Sequence, residues 1–275
     1  QFGTRLIGTG FHAYATDNTT YDIRHLADQF AKGYDEAYTG VNPTKCPAVS
    51  GPRQTIYLAI ATSNDQQGSN VALTADHAAA WAQMVDKVTS DVSYIEGIVV
   101  EAGIDAEPNF DTAYSHTADW VNSYSTNGHT LCHDFGSTDG YPDLAPGEPT
   151  PVVSPPWGHS SWSVDEFYNI ARGISGQRPL PEIYKSSYAR DWYRVKRWSQ
   201  TRPIPLTFPM DFEGVMSECY SSGCQPPADF SEQQAWQVFW LELNADQITQ
   251  QDIPYSTDIR CSNGPYAGCS PSIHD

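Results

Sequence analysis

The chain is poor in basic residues. It carries 15 Lys and Arg against 33 Asp and Glu, for a formal charge of −18, and such an excess repels phosphate backbones and anionic lipid, which excludes nucleic-acid and membrane-surface partners. No apolar run of about eighteen residues occurs, so no membrane span is expected. The sequence has no G-x-G-x-x-G run and no G-x-S-x-G elbow, which argues against a dinucleotide-binding sheet and against a serine nucleophile of the α/β-hydrolase kind. It has no C-x-x-C pair either, and neither a metal nor another cofactor is expected. Charged residues of both signs reach only 17%.

Aromatic residues and uncharged polar groups are plentiful instead. Sixteen Tyr and eight Trp lie in a chain rich in Ser, Thr, Asn, Gln and Gly, a composition suited to sugars, whose C–H faces stack on rings while their hydroxyls take hydrogen bonds. The six cysteines are even in number and fit an oxidising compartment, with structural disulfides favoured over metal ligation. The most local pairing joins Cys219 to Cys224 and Cys261 to Cys269, leaving Cys46 with Cys132. The chain opens on Gln1, consistent with a removed signal peptide, and a secreted protein is expected.

Along the chain, β-prone runs alternate with helical patterns. Strands are expected over 5–14, 55–62, 95–107, 130–136, 180–184, 205–214 and 253–259, with helices between them. Helix starts are signalled by Thr74, by Ser163 with Glu166 as a capping box, and by Ser231. Residues 142–156 are the most proline-rich stretch, and because the alternation continues beyond them they read as a long loop within one domain spanning 1–275. The order predicts an α/β protein, a (β/α)8 TIM-type barrel that is one countable strand short and so distorted or carrying an irregular strand.

Within that frame the acids matter most. The run Ile98-Val99-Val100-Glu101-Ala102-Gly103-Ile104 ends in Asp105-Ala106-Glu107, and alternate residues of a strand share a face. Asp211-Phe212-Glu213 repeats the pattern on the sixth expected strand, and Asp134 ends the fourth. In a barrel the strand ends meet at one rim, where crowded carboxylates split their proton affinities into the acid and base of glycosidic cleavage. Glu107, Asp105, Asp211 and Glu213 are the catalytic candidates. Asp134, Tyr184 and His12 are candidates for hydrogen bonding to a saccharide, and Trp157 and Trp162 for an exposed stacking platform. Glu101, deeper on the same face, is read as structural and in need of a partner such as Arg5. Trp81, Trp192, Trp198, Trp236 and Trp240 fall on helical faces and are read as core.

Asp105-Ala106-Glu107-Pro108, Thr117-Ala118-Asp119-Trp120-Val121, Phe135-Gly136-Ser137-Thr138-Asp139-Gly140, Trp162-Ser163-Val164-Asp165-Glu166 and Leu180-Pro181-Glu182-Ile183-Tyr184 occur in this order. Together they resemble a group of uncharacterised secreted bacterial proteins with a glycoside-hydrolase-like barrel. More distantly, the D-x-E at a strand end is similar to barrel-type muramidases, and that resemblance implies Glu107 as the acid and Asp105 as its partner. The first expected strand lacks the early Gly-x-Asp of those enzymes, so peptidoglycan is not carried over as substrate. The expectation is a monomeric, secreted hydrolase of a polysaccharide or oligosaccharide. The competing expectation is a glycan-binding or surface-interaction domain on the same fold, without catalysis.

Overall fold

A computed structural model describes residues 20–39, 55–64, 73–111, 113–139, 162–201, 207–217, 230–258 and 272–273. The first expected strand, the proline-rich loop, His12, Trp157 and Arg5 lie outside them. The described elements are α1 (Thr20–Thr39), β1 (Ile56–Ser63), α2 (Ala75–Val92), β2 (Ile98–Asp105), α3 (Tyr114–Asn127), β3 (Cys132–Asp134), α4 (Val164–Tyr168), β4 (Gln177–Pro179), α5 (Ser186–Thr201), β5 (Val215–Ser217), α6 (Glu232–Asn244), β6 (Tyr255–Asp258) and β7 (Ser272–Ile273). A single π turn, Asn169–Gly173, extends α4.

The chain is a mixed α/β protein in which β1, β2, β3 and β4 form one parallel sheet in chain order. A second sheet pairs β5 with β6 in parallel and β6 with β7 antiparallel. Ile183 N–H donates to Met216 O at 2.7 Å and Met216 N–H to Pro181 O at 2.8 Å, which ties the two sheets together just beyond β4. Among the described residues no helix is long and apolar enough to cross a membrane.

Pleating sorts β2 into two faces. Val100, Ala102 and Ile104 join the large core beneath the helices, where α2 contributes Ala78, Ala82, Val85, Val88 and Val92 at helical spacing. Thr74 caps that helix by accepting from His77 N–H. Glu101, Gly103 and Asp105 take the opposite face, with Ala59, Phe135, Leu180 and Met216 as its small apolar centre. A Cβ on Gly103 would overlap the Phe135 ring, whose Cδ2 would lie 2.9 Å away, so glycine is what lets that ring lie flat on the strand.

Two expected strands are displaced. The fifth was expected over 180–184; its ladder is Gln177–Pro179, and the expected residues follow as a bridging segment in which Leu180 N–H donates to Asp134 O at 2.9 Å and Glu182 forms a bridge with Met216. The sixth was expected over 205–214, yet the ladder begins only at Val215. Asp211 and Glu213 therefore precede their strand instead of ending it. Cys132 is a free, buried thiol on β3, so its expected bridge to Cys46 is not formed. It faces the helix layer beside Gln177, and burial pushes the thiol up to about 12.

The exposed interior of α1 offers a simple stability test. Gly33 sits there with open space where a Cβ would go, so Gly33→Ala should stabilise the protein by about 0.5–1 kcal/mol, read by urea unfolding.

Candidate active site

Three acids converge where the strands of the first sheet end. Asp105 closes β2, Glu107 follows two residues later, and Glu182 follows β4. They are 9%, 5% and 1% exposed, and one carboxylate oxygen from each lies within 4.8 Å of the others.

Local geometry explains how Glu107 stays there. Asn64, fully buried just after β1, donates its backbone N–H to Asp105 O at 3.1 Å, carrying the strand pairing one residue further. Its side chain then receives Glu107 N–H at 2.9 Å and donates to Glu107 O at 3.0 Å. On the other side, Ser137 N–H donates to Glu107 Oε1 at 3.2 Å. The Ser137 loop is held in turn by Asp139 N–H on Ser137 Oγ and by Asn109, which bonds both the backbone and the carboxylate of Asp139.

The electrostatics follow from this packing. Burial, reinforced by the Asp105 charge, pushes the Glu107 carboxyl up to about 8. Glu107 is thus largely protonated at neutral pH while lying among carboxylates. Tyr188, from α5, has its hydroxyl pushed upward by burial and by the charges of Asp139 and Glu107. Chemically, the cluster can hold a proton on one carboxyl beside an ionised neighbour. Asp105, Glu107 and Glu182 also offer the all-oxygen donor set that a hard divalent cation takes.

The other expected site residues are placed as follows. Asp134 is fully buried beside this site but accepts from Gly136 N–H at 3.0 Å, fixing the turn after β3, and burial raises it to about 7. Tyr184 is half-buried and packs edge-on against Tyr188 at 5.8 Å. Trp162 is not an exposed platform: it is 1% exposed, donates to Asp111 O at 2.9 Å and packs on Tyr114 and Phe167.

Asp211 and Glu213 are not brought to the cluster. Asp211 is exposed and pairs with the buried Lys196 at 3.1 Å. Glu213 pairs with Arg178 at 3.2 Å and lies 3.5 Å from His133 Nδ1. His133 Nε2 meets Glu101 at 2.6 Å, so the partner that buried Glu101 needed is a histidine on the next strand. This Glu101–His133–Glu213–Arg178 group lies on the same face as Asp105, nearer the strand starts, with Phe135 stacked on His133 at 5.8 Å.

Glu182, Asn64, Ser137 and Tyr188 were not among the expected site residues. Glu182 carried a usable signal, since it stands two residues before the end of an expected strand as Asp105 and Asp134 do. Asn64 is the first polar residue after the β1 run, which by itself says nothing of a clamp on a residue 43 positions away.

Glu107 and Asp134 also set a pH dependence. In the unfolded chain they return to their ordinary values of 4.5 and 3.8, whereas folded they hold protons up to about 8 and about 7. Between those limits the folded state binds more protons, so stability contributed by these groups is complete at low pH and is lost as pH rises through 7 to 8. The melting temperature should therefore be lower at pH 8.5 than at pH 6, and scanning calorimetry across that range checks it.

Comparison with family profiles, with curated proteins and with solved structures finds no match for this chain.

Proposed function

We propose that the protein is a secreted glycoside hydrolase built on a (β/α) barrel, in which Glu107 is the general acid and Asp105 or Glu182 the ionised partner. The observation that carries this reading is a buried carboxyl, raised to about 8, among two further carboxylates at the ends of parallel strands. Support for the barrel comes from neighbouring strands that follow chain order with helices between them.

Spacing bears on the stereochemical course. Carboxyls about 5 Å apart suit a retaining double displacement, whereas inversion needs about 6.5–9.5 Å to admit water. Oxygens within 4.8 Å of one another favour retention. The test is release of reducing sugar from a polysaccharide panel, with the anomer of the first product followed by NMR. Turnover that survives in Glu107→Gln, or an inverted first product, would contradict the proposal.

A second reading is favoured by the three-carboxylate donor set: a divalent cation could occupy the place that the proton holds. Calorimetric titration of Ca²⁺, Mg²⁺ or Mn²⁺ into the protein and into Glu182→Gln separates the two, because only the cation reading predicts binding that Glu182→Gln weakens.

A further inference from the structure

Asn64 stands outside both roles assigned so far, since it neither carries charge nor ends in the carboxyl cluster. Its position is nevertheless unusual. It is 0% exposed, its backbone continues the β1–β2 pairing, and its amide takes both backbone groups of Glu107 as a neighbouring strand would. A third bond, from Nδ2 to Thr117 Oγ1 at 3.2 Å, anchors the same amide to α3, and Thr117 is itself fully buried. Peptide orientation at residue 107 is thus set by a side chain that is held from two elements. The Glu107 carbonyl has one more donor, Phe110 N–H at 3.1 Å, but its N–H is taken by Asn64 Oδ1.

We propose that Asn64 is a positioning residue, whose amide clamps the Glu107 backbone so that the carboxyl is held between Asp105 and the Ser137 N–H instead of turning to solvent. The inference rests on Glu107 being the acid of the proposed reaction. A carboxyl beyond the last ladder residue has no regular pairing to fix it, and a rotation of its peptide would carry the side chain out of its buried setting. The clamp therefore fixes where the carboxyl stands when it hands its proton to a leaving group.

The test is structural first. In crystals of the native chain the Glu107 carboxylate is expected on Ser137 N–H, at 3.2 Å as described, and in Asn64→Ala it is expected to leave that N–H and turn to solvent. Where the chain hydrolyses a glycan, Asn64→Ala should lower kcat by about tenfold or more with KM little changed, because the acid is misplaced while the rest of the cleft is kept. If Asn64→Ala folds and Glu107 keeps its place on Ser137 N–H, Asn64 is only a packing residue and the inference fails. Should Asn64→Ala not fold, Thr117→Val decides: it removes one anchor of the amide and is expected to displace the carboxylate, with Thr117→Ser restoring it, whereas an unmoved carboxylate in Thr117→Val overturns the proposal. The structural readout is independent of catalysis. A chain that cuts no glycan yet shows the displacement would refute the hydrolase reading and keep the clamp.

Discussion

Glu107→Gln is expected to lower turnover of a natural polysaccharide by about 10²–10⁴-fold, the usual contribution of a positioned general acid. Glutamine keeps the shape and still accepts from Ser137 N–H, which donates to Oε1 at 3.2 Å in the native chain, so the loss would come from the missing proton. A leaving group that departs without protonation should escape most of the penalty: the first step on an activated aryl glycoside should be slowed far less than the step on the polysaccharide. Equal loss on both substrates would remove Glu107 from the acid role. The same variant should change stability in the opposite sense. Native Glu107 holds its proton to about 8 when folded and to its ordinary 4.5 when unfolded, so ionising it at high pH opposes folding. Glu107→Gln cannot ionise, and its melting temperature should fall less between pH 6 and pH 8.5 than that of the native chain.

What the sequence disclosed was uneven in an instructive way. Helices were legible because their signals are local: Thr74, the Ser163–Glu166 box and Ser231 all cap the elements they announce. The strands β1 and β2 were legible because eight residues of each pair in register and one face is core. Short strands were not. Around β4 and β5 the ladders are only three residues long: the residues expected as a strand at 180–184 pair as a bridge between the two sheets, and the described part of 205–214 leads into β5 instead of forming it. The D-x-E at 105–107 and the D-x-E at 211–213 are alike as letters, but one follows its strand and the other precedes it. A pattern with period two carries no mark for which end of the ladder it occupies, and that is why Asp211 and Glu213 were placed with Glu107 when they pair with Lys196 and Arg178. Trp162 was misplaced for a related reason: what buries it is contact with Asp111 and Tyr114, about fifty positions earlier. Glu182 joins the acids through a bridge between the sheets, Glu182 with Met216, which no local pattern announces.

The second large effect is expected at a residue with no side chain. A Cβ on Gly136 would overlap the Ala106 carbonyl oxygen and sit 2.6 Å from its carbonyl carbon. Ala106 lies between Asp105 and Glu107, so the space taken by the missing Cβ is backbone of the site itself. Where an added methyl meets a flexible side chain, a rotamer change can relieve it, but here a strand end would have to move. Gly136→Ala should therefore destabilise the protein by about 3 kcal/mol, at the upper part of the usual range for overpacking. The direction of that movement links stability to the site. Gly136 N–H caps Asp134, Gly136 O accepts from Glu182 N–H at 3.4 Å, and the next residue supplies the N–H on Glu107. Parting β3 from β2 at this point would loosen all three, so urea unfolding and the Glu107 titration should change together: lower stability, and a Glu107 midpoint displaced from about 8 toward its ordinary 4.5. Lower stability with an unmoved midpoint would mean that the loop after β3 packs against the acid without setting its proton affinity, and the raised value would then have to come from burial beside Asp105 alone.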